Sequence, residues 1–447
     1  MTAPRPRLVL FSFVCVLFAT HPAVASGHAE VLQTFSLPAS IGNLTEPAIA
    51  VDPRDPKRLQ VLATDYAGSV AAVAGEQVRI APTCRLSESK NLGHTWTSSD
   101  FAGSHAPAVP YVSSSNATLA TDSRGRFYAA CLANNSAAGG AVVFGTGTLG
   151  SGISRSQLLS TPGAGPLVTA DKPWVAASLD GSSVAVVWAE FVSNPGAAVI
   201  VARVSHDNGL TFEPPHVVSS AVAGNGHEVV TSSGLPCAIY LRSGALAVAW
   251  HASLATGEDV MAITMDSGST NPPSTIALRN VAHSGVQGQY PRHANQPSLA
   301  LDPRGQGVLL AGGVQTPGGV RAELVAVQAS GVIAGAPIAV APLPGGGDQL
   351  NAAVGTTGPG AVGVAYQQVK SGYLETLLAL RGTTARSWKP IRISTRNTPV
   401  SPYTASSNGT PIGDFIMVVG AGARLISVFP EQQGPRLQLV GVIVSAT

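Results

Sequence analysis

The sequence predicts an all-β fold: one closed ring of small antiparallel sheets, four strands to a sheet, seven sheets favoured and six the alternative. Three observations predict it. The 447 residues include 49 Gly and 33 Pro, and only 11% are charged, a composition suited to short strands and tight turns and poor in helix formers. A unit of apolar strand, turn and second apolar strand recurs roughly every 55 to 70 residues, which suits the blades of a β-propeller with variable loops. Finally, the strands left over at the two ends of the chain balance. The last unit lacks an outer strand, and residues 31–36 precede the first unit and fill the gap, which removes the exposed edge of an open array.

Each unit shows the same local logic. The first starts at Glu46-Pro47-Ala48-Ile49-Ala50-Val51 and turns at Asp52-Pro53-Arg54-Asp55. The second runs through residues 117–121 to the turn Asp122-Ser123-Arg124-Gly125, and the third through residues 171–177 to Asp180-Gly181. The fourth turns at Arg242-Ser243-Gly244 and the fifth at Asp302-Pro303-Arg304-Gly305. The sixth pairs residues 351–354 with 361–366, and the seventh turns at Gly420-Ala421-Gly422 before its last strand at 437–444. Asp, Pro and Gly are the residues that close such turns, because Pro presets φ, Gly accepts positive φ and Asp bonds to nearby amides.

The first 25 residues read as an export signal. Arg5 and Arg7 precede an apolar stretch over 8–19, and Ala23-Val24-Ala25 offers a small-x-small cleavage site. No later stretch approaches the ~18 apolar residues of a membrane span. The expectation is an exported domain over 26–447, extracellular or periplasmic, monomeric and not membrane-bound. A net charge of +2 argues against nucleic acid as a partner and leaves a glycan or an extracellular protein. Cys84, Cys131 and Cys237 remain after cleavage. Cys84 with Cys131 is the favoured disulfide; three buried thiols are the alternative.

Ser205-His206-Asp207-Asn208-Gly209-Leu210-Thr211-Phe212 fits the pattern Ser-x-Asp-x-Gly-x-Thr-aromatic. Asp207 accepts from the amides of its own turn, Gly209 supplies positive φ, and Thr211 and Phe212 are expected to start a strand whose ring packs into the blade. A degraded copy, Ser89-Lys90-Asn91-Leu92-Gly93-His94-Thr95-Trp96, has Asn91 in place of the Asp. The pattern resembles the Asp-box of sialidase-like β-propellers. Asp171-Lys172-Pro173-Trp174 and Ile412-Gly413-Asp414-Phe415 resemble segments common in secreted bacterial proteins of that kind. The resemblance implies a propeller, and for the enzymes of the sialidase class it implies six blades, against the seven counted here. It also implies three arginines clamping a substrate carboxylate, a Tyr–Glu nucleophile and an Asp acid/base. The Arg-Ile-Pro segment carrying the first such arginine is absent, and Arg54, Arg124, Arg242 and Arg304 fall in turns on the opposite face. Sialic acid specificity is therefore not expected.

Propeller geometry places ligands where the channel opens. Glu46, Asn116, Asp171, Lys172, Gln296, Asn351 and Asp414 stand where inner strands begin; Asp65, Tyr66, Glu190 and His251 stand at the ends of second strands, and Arg292 feeds the same rim. Two carboxylates about 5 to 9 Å apart suffice for glycoside hydrolysis. The candidates for catalysis are Asp171, Glu190 and Asp414, with Tyr66 as nucleophile; those for ligand contact are Glu46, Asp65, Lys172, His251, Arg292 and Gln296. No cofactor is expected, although Asp171 and Asp414 offer oxygen donors of the kind calcium prefers. The alternative is a non-catalytic propeller binding a carbohydrate or a protein. Carboxylates facing each other across a pocket favour a hydrolase, and carboxylates each satisfied by a Lys or an amide favour a binding module.

Overall fold

In the computed structural model the described residues are 30–446, apart from 41, 67–70, 74–75, 79–81, 102–112, 136–138, 161–167, 193–197, 220–221, 224–227, 267, 269–272, 283–295, 306, 343–344, 346, 383–386, 400–415 and 435. The proposed signal, Arg292 and Asp414 thus lie outside them. The described residues form strands and no α-helix, so no helix is long and apolar enough to cross a membrane.

Seven antiparallel sheets of blade type follow one another along the chain. From inner to outer strand, blade I is Asn43–Asp52, Asp55–Tyr66, Thr83–Ser89 and Thr97–Asp100. Blade II is Ser113–Thr121, Arg126–Asn135, Gly139–Thr148 and Ile153–Leu158; blade III is Val168–Ala177, Val184–Val192, Ala198–Ser205 and His216–Val217. Blade IV is Glu228–Tyr240, Leu246–Leu254, Asp259–Asp266 and Thr275–Leu278; blade V is Ser298–Leu301, Gly307–Thr316, Gly319–Gln328 and Ile338–Ala339. Blade VI is Gln349–Thr356, Val362–Lys370, Tyr373–Arg381 and Lys389–Arg392. Blade VII is Met417–Ala421, Arg424–Gln433 and Arg436–Ser445, and its outer strand is Glu30–Ser36. That strand runs antiparallel to the last one, from Glu30 opposite Ser445 to Ser36 opposite Val440. The ring closes as its leftover strands require, and the count is seven rather than six.

The core sits between blades. One apolar cluster fills each junction, from Leu62, Leu86 and Phe127 between I and II to Leu59, Ile426 and Ile443 between VII and I. Strands apolar on both faces follow from this, because each sheet is covered by a neighbour on either side. Phe35 of the closing strand lies in a slot made by Gly441 opposite it and Gly93 of blade I, either of which would clash with the ring if it carried a Cβ. Cys84 of blade I and Cys131 of blade II are disulfide-bonded within their junction, and Cys237 is free and buried.

The turn over residues 205–212 forms as its residues dictate. Ser205 Oγ donates to Asp207 at 2.7 Å, and Asp207 accepts from the Thr211 amide at 2.8 Å and the Thr211 hydroxyl at 2.5 Å. In the degraded copy Asn91 Oδ1 accepts from the Ser89 hydroxyl at 3.0 Å and the Thr95 N–H at 2.9 Å, whereas Asn91 Nδ2 donates to the Thr95 hydroxyl at 2.8 Å. One expectation needs correction: the outer strand of blade III begins at His216 rather than at Thr211. The ring of Phe212 packs in the core shared by blades III and II, 5.0 Å between centroids from Phe144 of blade II, and Trp96 likewise packs on Phe35 of blade VII. The two turns thereby staple neighbouring blades.

Candidate functional site

A single backbone feature builds the channel ring. Five inner strands carry a β-bulge, and at each one a non-glycine residue adopts positive φ: Glu46 at 50°, Asn116 at 53°, Lys172 at 51°, Leu235 at 52° and Asn351 at 53°. Gln296 of blade V holds the matching place in the sequence. Each sits six positions before the residue that opens the following turn: Glu46 before Asp52, Asn116 before Asp122, Lys172 before Ser178, Leu235 before Leu241, Gln296 before Asp302 and Asn351 before Thr357. A left-handed conformation at a residue with a Cβ is costly and persists only where its surroundings hold it. The bulge re-aims the side chain out of the strand's alternation. In blades I to III the re-aimed side chains meet, which requires them to converge on the axis.

Lys172 Nζ stands 3.2 Å from Glu46 Oε1 and donates to Asn116 Oδ1 at 2.8 Å, joining blades I, II and III. Asn116 Nδ2 donates in turn to Asp171 Oδ1 at 2.9 Å, and the Lys172 amide donates to the same oxygen at 2.8 Å. The hydroxyl of Thr64 donates to Glu46 Oε2 at 2.9 Å and accepts from the Asn116 amide. Glu46, Asn116 and Lys172 are all buried. The expected grouping of Glu46, Asp171 and Lys172 is therefore real, with Asn116 as its link.

Across the ring the situation differs. Gln296 Nε2 donates to the Pro236 carbonyl and Asn351 Nδ2 to Gln367 Oε1, but Gln296 Oε1 and Asn351 Oδ1 are buried and accept from none of the described residues. Buried acceptors without a donor are rare and call for an explanation, an unseen ligand or water among them.

The other candidates are spread over the blades. Asp65, one strand outward in blade I, accepts from Ser40 at 2.6 Å and pairs with Arg85 at 3.2 Å. Tyr66 ends the same strand opposite Asn43 and is half-buried. Glu190 accepts from the Trp188 indole at 3.2 Å. His251 lies 3.7 Å from Asp259, which also accepts from Ser253. Among the described residues no group of three His, Cys, Asp or Glu is placed to hold a metal.

No family model matches the sequence, nor does any curated protein. Solved structures do match along almost the whole chain. One is a protein of unknown function from Dyadobacter fermentans, 13% identical, covering 94% of this chain and 99% of that one with a TM-score of 0.51. Another is the polysaccharide lyase Uly1, 11% identical, covering 92% of both chains with a TM-score of 0.50. This chain has the seven-bladed β-propeller fold. A Hadza microbial sialidase, 9% identical and covering 93% of this chain and 96% of that one, matches at a TM-score of 0.45. At such identities a match speaks to architecture alone, and the chemistry of this propeller rests on its own side chains.

Proposed function

We propose that the channel face of this propeller binds the hydroxyl groups of a neutral glycan, outside the cytoplasm, without cleaving it. One observation carries the reading: the carboxylates of the ring are engaged by Lys172, Asn116 and Thr64, whereas the amide oxygens of Gln296 and Asn351 are buried without donors. A hydroxyl-rich ligand supplies donors to such acceptors, and no arginine among the described residues donates to them to favour an acidic sugar. The polysaccharide lyase of like fold acts on a glycan, which is compatible with a glycan at this face. The export signal read in residues 1–25 supports the compartment.

The test is calorimetry of the purified protein against neutral oligosaccharides and a sialoside, with a chromogenic glycoside screen beside it. Saturable binding of a neutral glycan is expected, weakened at least tenfold by Gln296→Leu or Asn351→Leu, with no glycoside turned over. Turnover abolished by Asp171→Asn would overturn the non-catalytic reading. Absence of binding to every neutral glycan would overturn the reading as a whole.

A further inference from the structure

On the face opposite the channel ring, where the Asp-Pro-Arg turns lie, a cavity of ≈540 Å³ opens between blades V and VI. Leu309 and Leu324 of blade V and Val362 of blade VI supply an apolar part of its wall, the Asp302–Arg304 turn, the Gly358–Gly360 turn and Arg381 supply a polar part, and Ala336 and Ile338 are exposed at its rim. Three charged residues line it, Asp302, Arg304 and Arg381. Asp302 is fully used by Arg304, which reaches both carboxylate oxygens, at 3.1 and 2.8 Å, and also donates its backbone amide. Burial alone would raise the Asp302 carboxyl, but the bonds from Arg304 hold it below its ordinary value. One anion and two cations leave one positive charge unmatched.

That charge is on Arg381. Its guanidinium makes no hydrogen bond or ion pair with any described residue and lies over the Trp388 ring, 4.8 Å from the centroid. Burial lowers its pKa, the neighbouring Arg304 lowers it further, and the Asp302 carboxylate offsets part of this. The indole N–H of the same Trp388 is buried without an acceptor among the described residues. Two comparable corners are filled. Arg54 of blade I covers Gly125 of blade II, and Arg126 of blade II donates to Asn208 of blade III at 2.7 Å. Between V and VI the corner is open, and Arg381 lines it.

We propose that this cavity binds a small amphiphilic anion, an aliphatic carboxylate whose head pairs with Arg381 and whose chain lies along Leu309, Leu324 and Val362. A guanidinium pairs with a carboxylate through two parallel N–H donors, and a partly desolvated, aromatic-backed guanidinium is suited to such a pair. A cavity of this size is in the range that encloses a small organic ligand. The site is separate from the channel ring and does not depend on glycan binding there.

Calorimetry with decanoate, below its micelle concentration, tests it on the full chain. Saturable binding is expected, at least tenfold tighter than that of decanol and of decyl phosphate. Arg381→Gln should weaken it at least tenfold, and Ala336→Trp, at an exposed rim position, should block it while leaving the melting temperature unchanged. If Arg381→Gln does not fold, Ala336→Trp decides alone. Equal binding of decanol, undiminished binding to a folded variant, or no saturable binding would overturn the site, and tighter binding of decyl phosphate would overturn the carboxylate head.

Discussion

Lys172 of blade III and Glu46 of blade I form a buried ion pair across the intervening blade, 3.2 Å between Nζ and Oε1, with Asn116 of blade II bound to the same ammonium. Three consecutive blades are thereby tied at their inner edges, where the sheets converge and apolar packing gives way to the channel. The pair does structural work at the place where a hydrolase would need a carboxylate at liberty. A buried pair of this kind gives register more reliably than net stability.

Removing one partner is expected to be costly. Lys172→Met leaves the Glu46 carboxylate buried and short of a cation, a loss of about 3–5 kcal/mol by analogy with broken buried pairs. Glu46→Gln in the same chain should recover most of it, because the Thr64 hydroxyl can still donate to the amide oxygen. Denaturant midpoints of the two variants check this; a double variant no more stable than Lys172→Met would show that the pair is not the source of the loss.

The ring of blades was legible because alternating strands, turns and leftover ends are local patterns. Glu46, Asp171 and Lys172 were legible as residues of one rim. What they do there was not, because a bulge inserts a residue and breaks the parity that tells one face of a strand from the other. A signal was present all the same: the constant six-residue distance to the turn, with Pro or Ala next in line, as in Glu46-Pro47, Asn116-Ala117, Lys172-Pro173 and Gln296-Pro297. Arg381 had no such signal. It is a lone basic residue at the end of an apolar strand, and its cavity is assembled from two consecutive blades, with lining residues spread from Asp302 to Gly382.

The closing strand is predicted to be sensitive at one glycine. A Cβ on Gly441 would fall 2.0 Å from the Phe35 ring, so Gly441→Ala should destabilise by about 1–3 kcal/mol, the usual cost of overpacking. Phe35→Leu added to it should restore part of that loss, although alone it would loosen the slot. Urea unfolding of the three variants measures the coupling, and additive losses would mean that the slot does not act as a unit.

The cysteines should divide cleanly in their behaviour. Reduction of the Cys84–Cys131 bond, which spans 47 residues, should cost up to about 4 kcal/mol if the bond acts through chain entropy. Burial pushes the Cys237 thiol up to about 12, so it should not react with a thiol reagent at pH 8 until the protein unfolds. Counting thiols before and after denaturation, without reductant, should give none and then one in the mature chain. A reactive thiol in the folded protein would contradict the packing of blade IV against blade III.

The turns should make the protein acid-sensitive in a defined window. The Thr211 hydroxyl, then the Thr211 amide and the Ser205 hydroxyl, hold the Asp207 carboxyl down at about 2. The Ser178 hydroxyl and the Ser182 amide and hydroxyl hold Asp180 at about 2 as well. Both carboxyls lie below their ordinary value near 3.9, so the folded state favours their ionised forms. Their contribution is complete above about pH 4 and is lost as the pH falls toward about 2. Unfolding free energy measured from pH 5 to pH 2 should therefore fall. Asp207→Asn should flatten that fall while keeping the turn, because Asn91 holds the matching turn of blade I by accepting from the Thr95 amide and donating to the Thr95 hydroxyl. Asp207→Ala should flatten it equally and lower stability at neutral pH as well. An unchanged slope in both variants would show that the Asp207 carboxylate does not set the acid limb.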